Sequence, residues 1–279
     1  MAADMVADRS PAVTLDAVTK TFPGKTVPAL VDLSATIEPG QFVAVIGKSG
    51  AGKTTLLRCL SRAALVTSGT IRFDRTDLAA LRGAALRAHR ARVGMIYQQF
   101  NLVRRLPVID NVLIGRLAQL HGFARWAALA RHFDASQRAI AFRCLDHVGL
   151  VDRVWQRTDT LSGGEQQRVA IAKILAQEPT VVLADEPVAS LDLSNGRLVM
   201  QTLRRVASAV GITVIATLHH VEHARNYADR ILGLKAGRLV FDGPASQLTD
   251  AALFEIFGEF LTEPARRAES ERLGELAAS

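Results

Sequence analysis

Two cysteines, two tyrosines and two tryptophans in 279 residues make a chain poor in the residues that staple, redox-couple or coordinate soft metals. Cys59 and Cys144 lie far apart in apolar, periodic segments, which excludes a disulfide framework and a cysteine-based metal centre and suits a reducing compartment. No segment approaches the ~20 consecutive apolar residues of a membrane span. Residues 1–11 carry acids and no apolar core of a signal peptide, so they read as a disordered leader. The chain is therefore expected to be soluble, or held at a membrane by a partner. Acids are the scarcer charge, 27 Asp+Glu against 34 Lys+Arg, a net +7 that suits acidic headgroups, nucleic acid or plain solvent alike. There is no internal repeat.

What is present begins with Gly47-Lys48-Ser49-Gly50-Ala51-Gly52-Lys53-Thr54, spaced G-x-x-x-x-G-K-[ST] directly after the apolar run 42–46. The pattern predicts a strand, a glycine-rich loop and a helix opening near Lys53, continued by Thr55. Closely spaced backbone N–H groups must reach phosphate oxygens there, and a side chain on Gly50 or Gly52 would obstruct that approach. Lys53 supplies a point charge for the β- and γ-phosphates, and Thr54 a hydroxyl for Mg2+. A glycine-rich turn without a ligand is the bland alternative.

The remaining pattern alternates strands and helices. Strands are expected at 13–18, 29–37, 70–73, 93–97, 180–184 and 213–218, with a hairpin at 230–241 around Gly237. Helices are expected at 78–92, 165–177 and 199–210. Arg82, Arg87, Arg90 and Arg92 make the first of these basic, either a solvated face or a dock for acidic groups. Between 108 and 161 the pattern turns wholly helical and interrupts the alternation, as an inserted subdomain would.

Two further stretches carry chemistry. The strand 181–184 ends in Asp185-Glu186; in a P-loop ATPase such a strand lies beside the loop, so that Asp185 can hold Mg2+ through water while Glu186 is placed to polarise the attacking water. Ser162-Gly163-Gly164 opens a helix with a hydroxyl cap and an acid in its first turn, a second anion site in the same chain. With Leu161 and Glu165 to Gln167, this stretch resembles the signature of the ABC ATPases, the nucleotide-binding subunits of ATP-binding cassette transporters; the similarity spans roughly 13–249.

That resemblance implies a fold and a set of roles. The fold is α/β: a P-loop NTPase core, a mixed sheet with flanking helices, with an N-terminal antiparallel β subdomain and an inserted α-helical subdomain. The ATPase domain is expected at 12–255, its core at 12–97 and 165–255 and its helical part at about 98–164, followed by a short helix and charged tail at 256–279. Phe22 would stack on adenine; Gln98 would sense Mg2+ and the γ-phosphate; His219 would contact the γ-phosphate; Asp192 would communicate across a dimer. Two copies would pack head to tail, so that Lys53 of one and Ser162, Gly163 and Gly164 of the other grip one ATP.

By the same resemblance, the cofactors are ATP and Mg2+. The partners are a second copy, two integral permease subunits that dock near Phe100, Leu102, Arg104 and Arg105, and indirectly a periplasmic solute-binding protein; no nucleic acid is expected. The place is the cytoplasmic face of a bacterial inner membrane. Residues 94–103, 185–192 and 227–231 look most like the ATPases of phosphonate importers. Methionine or amino-acid importers, lipoprotein or macrolide exporters, and soluble ABC ATPases acting on DNA or ribosomes are the alternatives. Lys48, Lys173 and Leu193 depart from the usual pattern, Lys48 adding charge beside the phosphates. His219-His220-Val221-Glu222-His223 also has the spacing of an inverted zinc-protease motif, but its first histidine ends an apolar strand run, and His220 and His223 are expected at the surface.

Overall fold

A computed structural model describes residues 12–258 except 121 and 130; the leader expected at 1–11 and the tail beyond 258 lie outside the described residues. In chain order the elements are β1 (Val13–Lys20), β2 (Leu30–Ile37), β3 (Phe42–Ile46), α1 (Lys53–Leu60), β4 (Ser68–Phe73), β5 (Thr76–Asp77), α2 (Gly83–Arg92) and β6 (Val93–Ile96). Then come α3 (Val108–Ile114), α4 (Gly122–Leu129), α5 (Ala135–His147), α6 (Gly163–Ala176), β7 (Val181–Asp185), α7 (Leu193–Val210), β8 (Thr213–Thr217), α8 (Val221–Tyr227), β9 (Arg230–Lys235), β10 (Arg238–Pro244) and α9 (Asp250–Phe257).

β3 shows why a parallel sheet forms. All five of its residues are buried, because both faces of the sheet are covered. Phe42, Ala44 and Ile46 join Val182, Ala184, Val214 and Ala216 in one apolar cluster, which the helices between β6 and β7 complete. Val43 and Val45 point the other way, into a second cluster with Leu183, Ile215, α1 and the antiparallel sheet. The large sheet runs β10-β9-β3-β8-β7-β6, parallel except for the β9/β10 hairpin, and the small antiparallel sheet runs β2-β1-β4-β5. Parallel registry brings the ends of β3, β8, β7 and β6 to one edge, where a ligand crevice forms in open α/β sheets.

Helix boundaries moved where local chemistry outweighed periodicity. The expected helix 78–92 is split: Leu78–Ala80 is one 3-10 turn capped by Asp77, the chain is extended at Leu81 and Arg82, and α2 restarts at Gly83 with φ +50°. α7 begins six residues before 199, because the Asp192 carboxylate caps a polar first turn that has no apolar period to betray it.

Two buried polar side chains tie the helical stretch to the rest. Asn111, fully buried, accepts from the Val103 N–H at 2.7 Å and donates to the Val103 carbonyl (3.0 Å) and the Thr158 hydroxyl (2.9 Å). Thr158 in turn donates to the Leu106 carbonyl, so the loop after β6 is pinned at two points. Arg116, also buried, donates to the last carbonyl of α6, Ala176, and to Gln137 of α5, and pairs with Glu178 at 2.7 Å.

One surface expectation fails. His223 is only 6% exposed, packed edge-on against Tyr227 in α8, because α8 turns it inward beside Gly196. Burial, with His220 next, pushes its imidazole down to about 4. A depressed histidine favours the neutral form in the folded state, so its contribution is full above 6.5, its ordinary value, and is lost as pH falls towards 4. The loss integrates to about 3 kcal/mol. Urea midpoints across that range should fall for the wild type and flatten in His223→Met; a wild-type midpoint that stays level would show the ring to be hydrated.

Candidate active site

The phosphate loop is shaped from both sides by backbone. Gly47 has φ +152°, and a Cβ there would stand 2.3 Å from the Leu234 carbonyl of β9; Gly52 has φ +105°, and its Cβ would stand 2.5 Å from the Ala29 carbonyl. Gly237 at the β9/β10 turn donates to the Ala51 carbonyl at 3.1 Å and accepts from Val31 at 2.8 Å, so the hairpin braces the loop. Gly50 has open space around its missing Cβ; its requirement is the φ of +79°, not clearance within the protein. Lys48, Ser49 and Gly50 are exposed along the loop, Ala51 is buried, and Thr55 is half-buried in α1.

Lys53 is buried and donates to the Gly47 and Lys48 carbonyls at 2.7 and 3.1 Å. Burial pulls its ammonium below the ordinary lysine value, and the Glu186 and Asp185 carboxylates counter that pull. Thr54 donates its hydroxyl proton to Asp185 Oδ1 at 3.2 Å. β8 lies between β3 and β7, so the strand bearing Asp185 is not directly beside the loop as the sequence suggested. The gap is bridged by Thr217, fully buried at the end of β8: its hydroxyl donates to the same Asp185 oxygen at 2.9 Å and accepts from the Glu186 N–H at 2.9 Å.

Glu186 sits in the left-handed region, φ +50°, a conformation that costs a non-glycine residue about 1–2 kcal/mol. The Thr217 hydroxyl holds it there and the strain turns its carboxylate towards His219, whose Nε2 lies 2.5 Å from Oε1. That hydrogen bond, with the His219 and Lys53 charges, holds the carboxyl below its ordinary range although burial opposes it. Glu186 is therefore ionised at neutral pH, as a base must be. His219 lies before α8 and faces Glu186, whereas His223 is buried inside that helix, so the two do not share a helical face as zinc ligation would need.

Lys53, Thr54, Asp185, Glu186 and His219 thus form one constellation. Gln98 does not bond to it: it is exposed and lies two residues past Ile96, the last residue of β6, whose register partner Ala184 stands two residues before Glu186. Phe22 is half-buried in the β1–β2 loop, with the Lys20 ammonium 4.9 Å over its ring. Ser162, Gly163, Gly164 and Asp192 form a separate group. Ser162 is exposed and caps α6 in a capping box, its N–H and hydroxyl both on Glu165 Oε2 at 2.9 Å. A Cβ on Gly164 would meet Asn195 Oδ1 at 2.7 Å, so this glycine seats the start of α7 on the start of α6. The Asp192 carboxylate is engaged in its own chain by Ser194 and Asn195, which hold it far below the usual carboxylate range.

A phosphate loop whose lysine and threonine face an Asp-Glu pair two strands away, with a second helix end displayed elsewhere, defines an ATP-hydrolysing cassette. The family model for the ABC transporter matches residues 30–189. Phosphonates import ATP-binding protein PhnC 2 of Rhodopseudomonas palustris (strain BisA53) is 50% identical over 82% of this chain and 84% of its own. The PhnC of Lactobacillus gasseri is 42% identical over 91% and 95%. Among solved structures, the cassette MJ0796, a dimer in a post-hydrolysis state bound to ADP and Pi, superposes with a TM-score of 0.71 at 32% identity, over 84% of this chain and 98% of its own. This chain belongs to the ABC transporter family, whose ATPases couple ATP hydrolysis to transport.

Thr217 and Asn111 were missed by sequence reasoning. The one signal for Thr217 is a hydroxyl ending an otherwise apolar strand; for Asn111 it is an amide on an apolar helix. Thr217→Val keeps the shape, leaves the Glu186 N–H unpartnered and leaves Asp185 Oδ1 with Thr54 as its one remaining hydroxyl donor. Steady-state ATP hydrolysis should fall roughly 10- to 100-fold with about 1–3 kcal/mol lost in denaturant melts. Unchanged turnover would show that Asp185 and Glu186 hold their positions without it.

Proposed function

We propose that this chain is the ATPase of a phosphonate importer, working as a head-to-tail homodimer on the cytoplasmic face of a bacterial inner membrane. Two integral permease subunits and, through them, a periplasmic solute-binding protein complete the transporter. Residues 12–255 act as the ATPase unit and 98–164 as its inserted helical part. The solute class comes from the relatives named for phosphonate import.

The observation that carries the reading is the division of the two phosphate-binding helix ends. Lys53 and its loop lie at the sheet edge with the catalytic carboxylates, whereas Ser162 is exposed and its helix end is anchored to α7. A site built from both needs a second copy. In that dimer Phe22 stacks on adenine and residues 47–55 bind the phosphates. Ser162, Gly163, Gly164 and Asp192 of the other copy close the site.

Glu186 takes a proton from the attacking water as its oxygen bonds to the γ-phosphorus, and the bond to ADP breaks to release phosphate. His219 steadies Glu186 and meets the γ-phosphate, and Gln98 reads the same group from the end of β6. The Thr54 hydroxyl, the Asp185 carboxylate and Gln98 offer the hard oxygen donors that suit Mg2+. Such an ion would neutralise charge on the β- and γ-phosphates. A groove of about 410 Å3 beside the loop after Gln98, lined by Tyr97, Phe100, Asn101 and Lys173, supports docking of a permease helix. Lys173 reaches the Asn101 carbonyl at 2.8 Å and fixes one wall of that groove.

Glu186→Gln should retain ATP affinity and lose hydrolysis by about 10²- to 10⁴-fold, whereas Lys53→Ala should lose affinity itself in equilibrium titration. Normal turnover in the first variant would remove Glu186 from the mechanism. Hydrolysis by the co-purified permease complex with its solute-binding subunit should rise with phosphonates; stimulation by methionine or polyamines instead would reassign the solute.

A further inference from the structure

The chain's positive charge is concentrated in one quarter of its length. Residues 39–109 hold twelve Lys+Arg against Asp74 and Asp77 alone, an excess of ten, larger than the net +7 of the whole chain. Lys48 and Lys53 belong to the phosphate loop, and Arg92 pairs with Asp74 at 2.7 Å. Of what remains, Arg62, Arg82, Arg87 and Arg90 gather at α2. The Arg62 and Arg82 guanidinium groups donate to the same two carbonyls, Ala79 and Leu81, and Arg90 donates to the Arg62 carbonyl.

Burial, and then Arg82 and Arg90, pull Arg62 below its ordinary value, as crowded like charges must. Arg82, Arg87 and Arg90 are exposed, have no acidic partner among the described residues, and are separated by the short, exposed Ala84, Ala85 and Ala88. A helix face meant only for water intersperses acids with its bases; this one has none. Arg90 and the neighbouring Ser61 and Ala63 also line the groove that ends at Phe100.

We propose that the surface made by Arg82 at the start of α2 and by Arg87 and Arg90 along it binds the anionic phospholipid headgroups of the bilayer beside the permease. The inference rests on the reading that the groove receives a permease helix, which would hold this face towards the membrane. The guanidinium fork matches phosphate oxygens in pairs, and Arg87 and Arg90, three residues apart, stand side by side on one face of the helix. Each cation held at such a surface strengthens binding roughly fivefold, so three together contribute about a hundredfold, and salt should screen the effect.

The test is co-sedimentation of the full-length protein with vesicles of phosphatidylcholine alone or mixed with phosphatidylglycerol, at low and high salt. The wild type should bind the mixed vesicles only, and at low salt. Arg82→Gln/Arg87→Gln/Arg90→Gln should lose about a hundredfold, the triple lysine variant should retain binding within a few-fold, and a charge-matched control, Arg143→Gln/Arg197→Gln/Arg238→Gln, should bind like the wild type. Equal loss in the control, equal binding to neutral vesicles, or displacement from mixed vesicles by duplex DNA at equal phosphate concentration would each overturn it. Assembly of the triple glutamine variant with the permease in neutral detergent separates the two readings. Assembly without vesicle binding by the wild type sinks the lipid surface alone; failure of the wild type to assemble sinks the permease reading beneath it.

Discussion

One oxygen of Asp185 accepts hydrogen bonds from the hydroxyls of both Thr54 and Thr217, and the candidate site is organised through that atom. Thr54 belongs to the helix after β3, Thr217 to the end of β8, and Asp185 to the end of β7, so a single acceptor joins three consecutive strands of the sheet. The geometry tolerates little change. Asp185 and Thr217 are register partners across a parallel ladder, and a slip of one residue would turn the hydroxyl to the opposite face of the sheet. The buried Val182, Ala184, Val214 and Ala216 set that register, and packing of the core thereby fixes the positions of Asp185 and Thr217.

The same hydroxyl explains how Glu186 is held in a conformation it would not adopt alone. With its N–H tied to Thr217, the residue stays at positive φ, and its carboxylate leaves the line of the strand to reach His219. Strain at a reacting group persists only where the surroundings over-determine it. Here the surroundings are a buried strand end and the turn that follows, where Ala189 donates to the Glu186 carbonyl at 3.2 Å.

Much of this was legible in the chain because the chemistry is local. The glycines of residues 47–54, the paired acids after an apolar strand, and Ser162 before a helix each declare their purpose within eight residues. The inserted helices follow from where a helical period interrupts the alternation of strands and helices, whereas the mixed sheet is what the resemblance to the ABC ATPases implies. What was not legible is whatever depends on strand order. Nothing in a linear reading says that β8 lies between β3 and β7, and so Thr217 passed as one more strand residue. His223 was hidden for a related reason: a polar ring was expected outside, and only tertiary packing shows α8 turning it under Tyr227. The start of α7 escaped because an Asp cap followed by a polar turn has no hydrophobic period.

The separation of the two helix ends is bridged within the chain by one amide. Gln167, fully buried on α6 a turn and a half beyond Ser162, donates to the Pro187 carbonyl at 2.6 Å, directly after Glu186. α6 also packs on α3 and α5, and Lys173 holds the Asn101 carbonyl in the loop that follows Gln98. One rigid helix therefore touches the exposed serine turn, the turn that carries Glu186, and the loop leaving β6. A rotation of α6 must stretch the Gln167 bond or carry the Pro187 turn with it. Close-packed interiors resist intermediate positions, so a load on any one of these three contacts is felt at the other two.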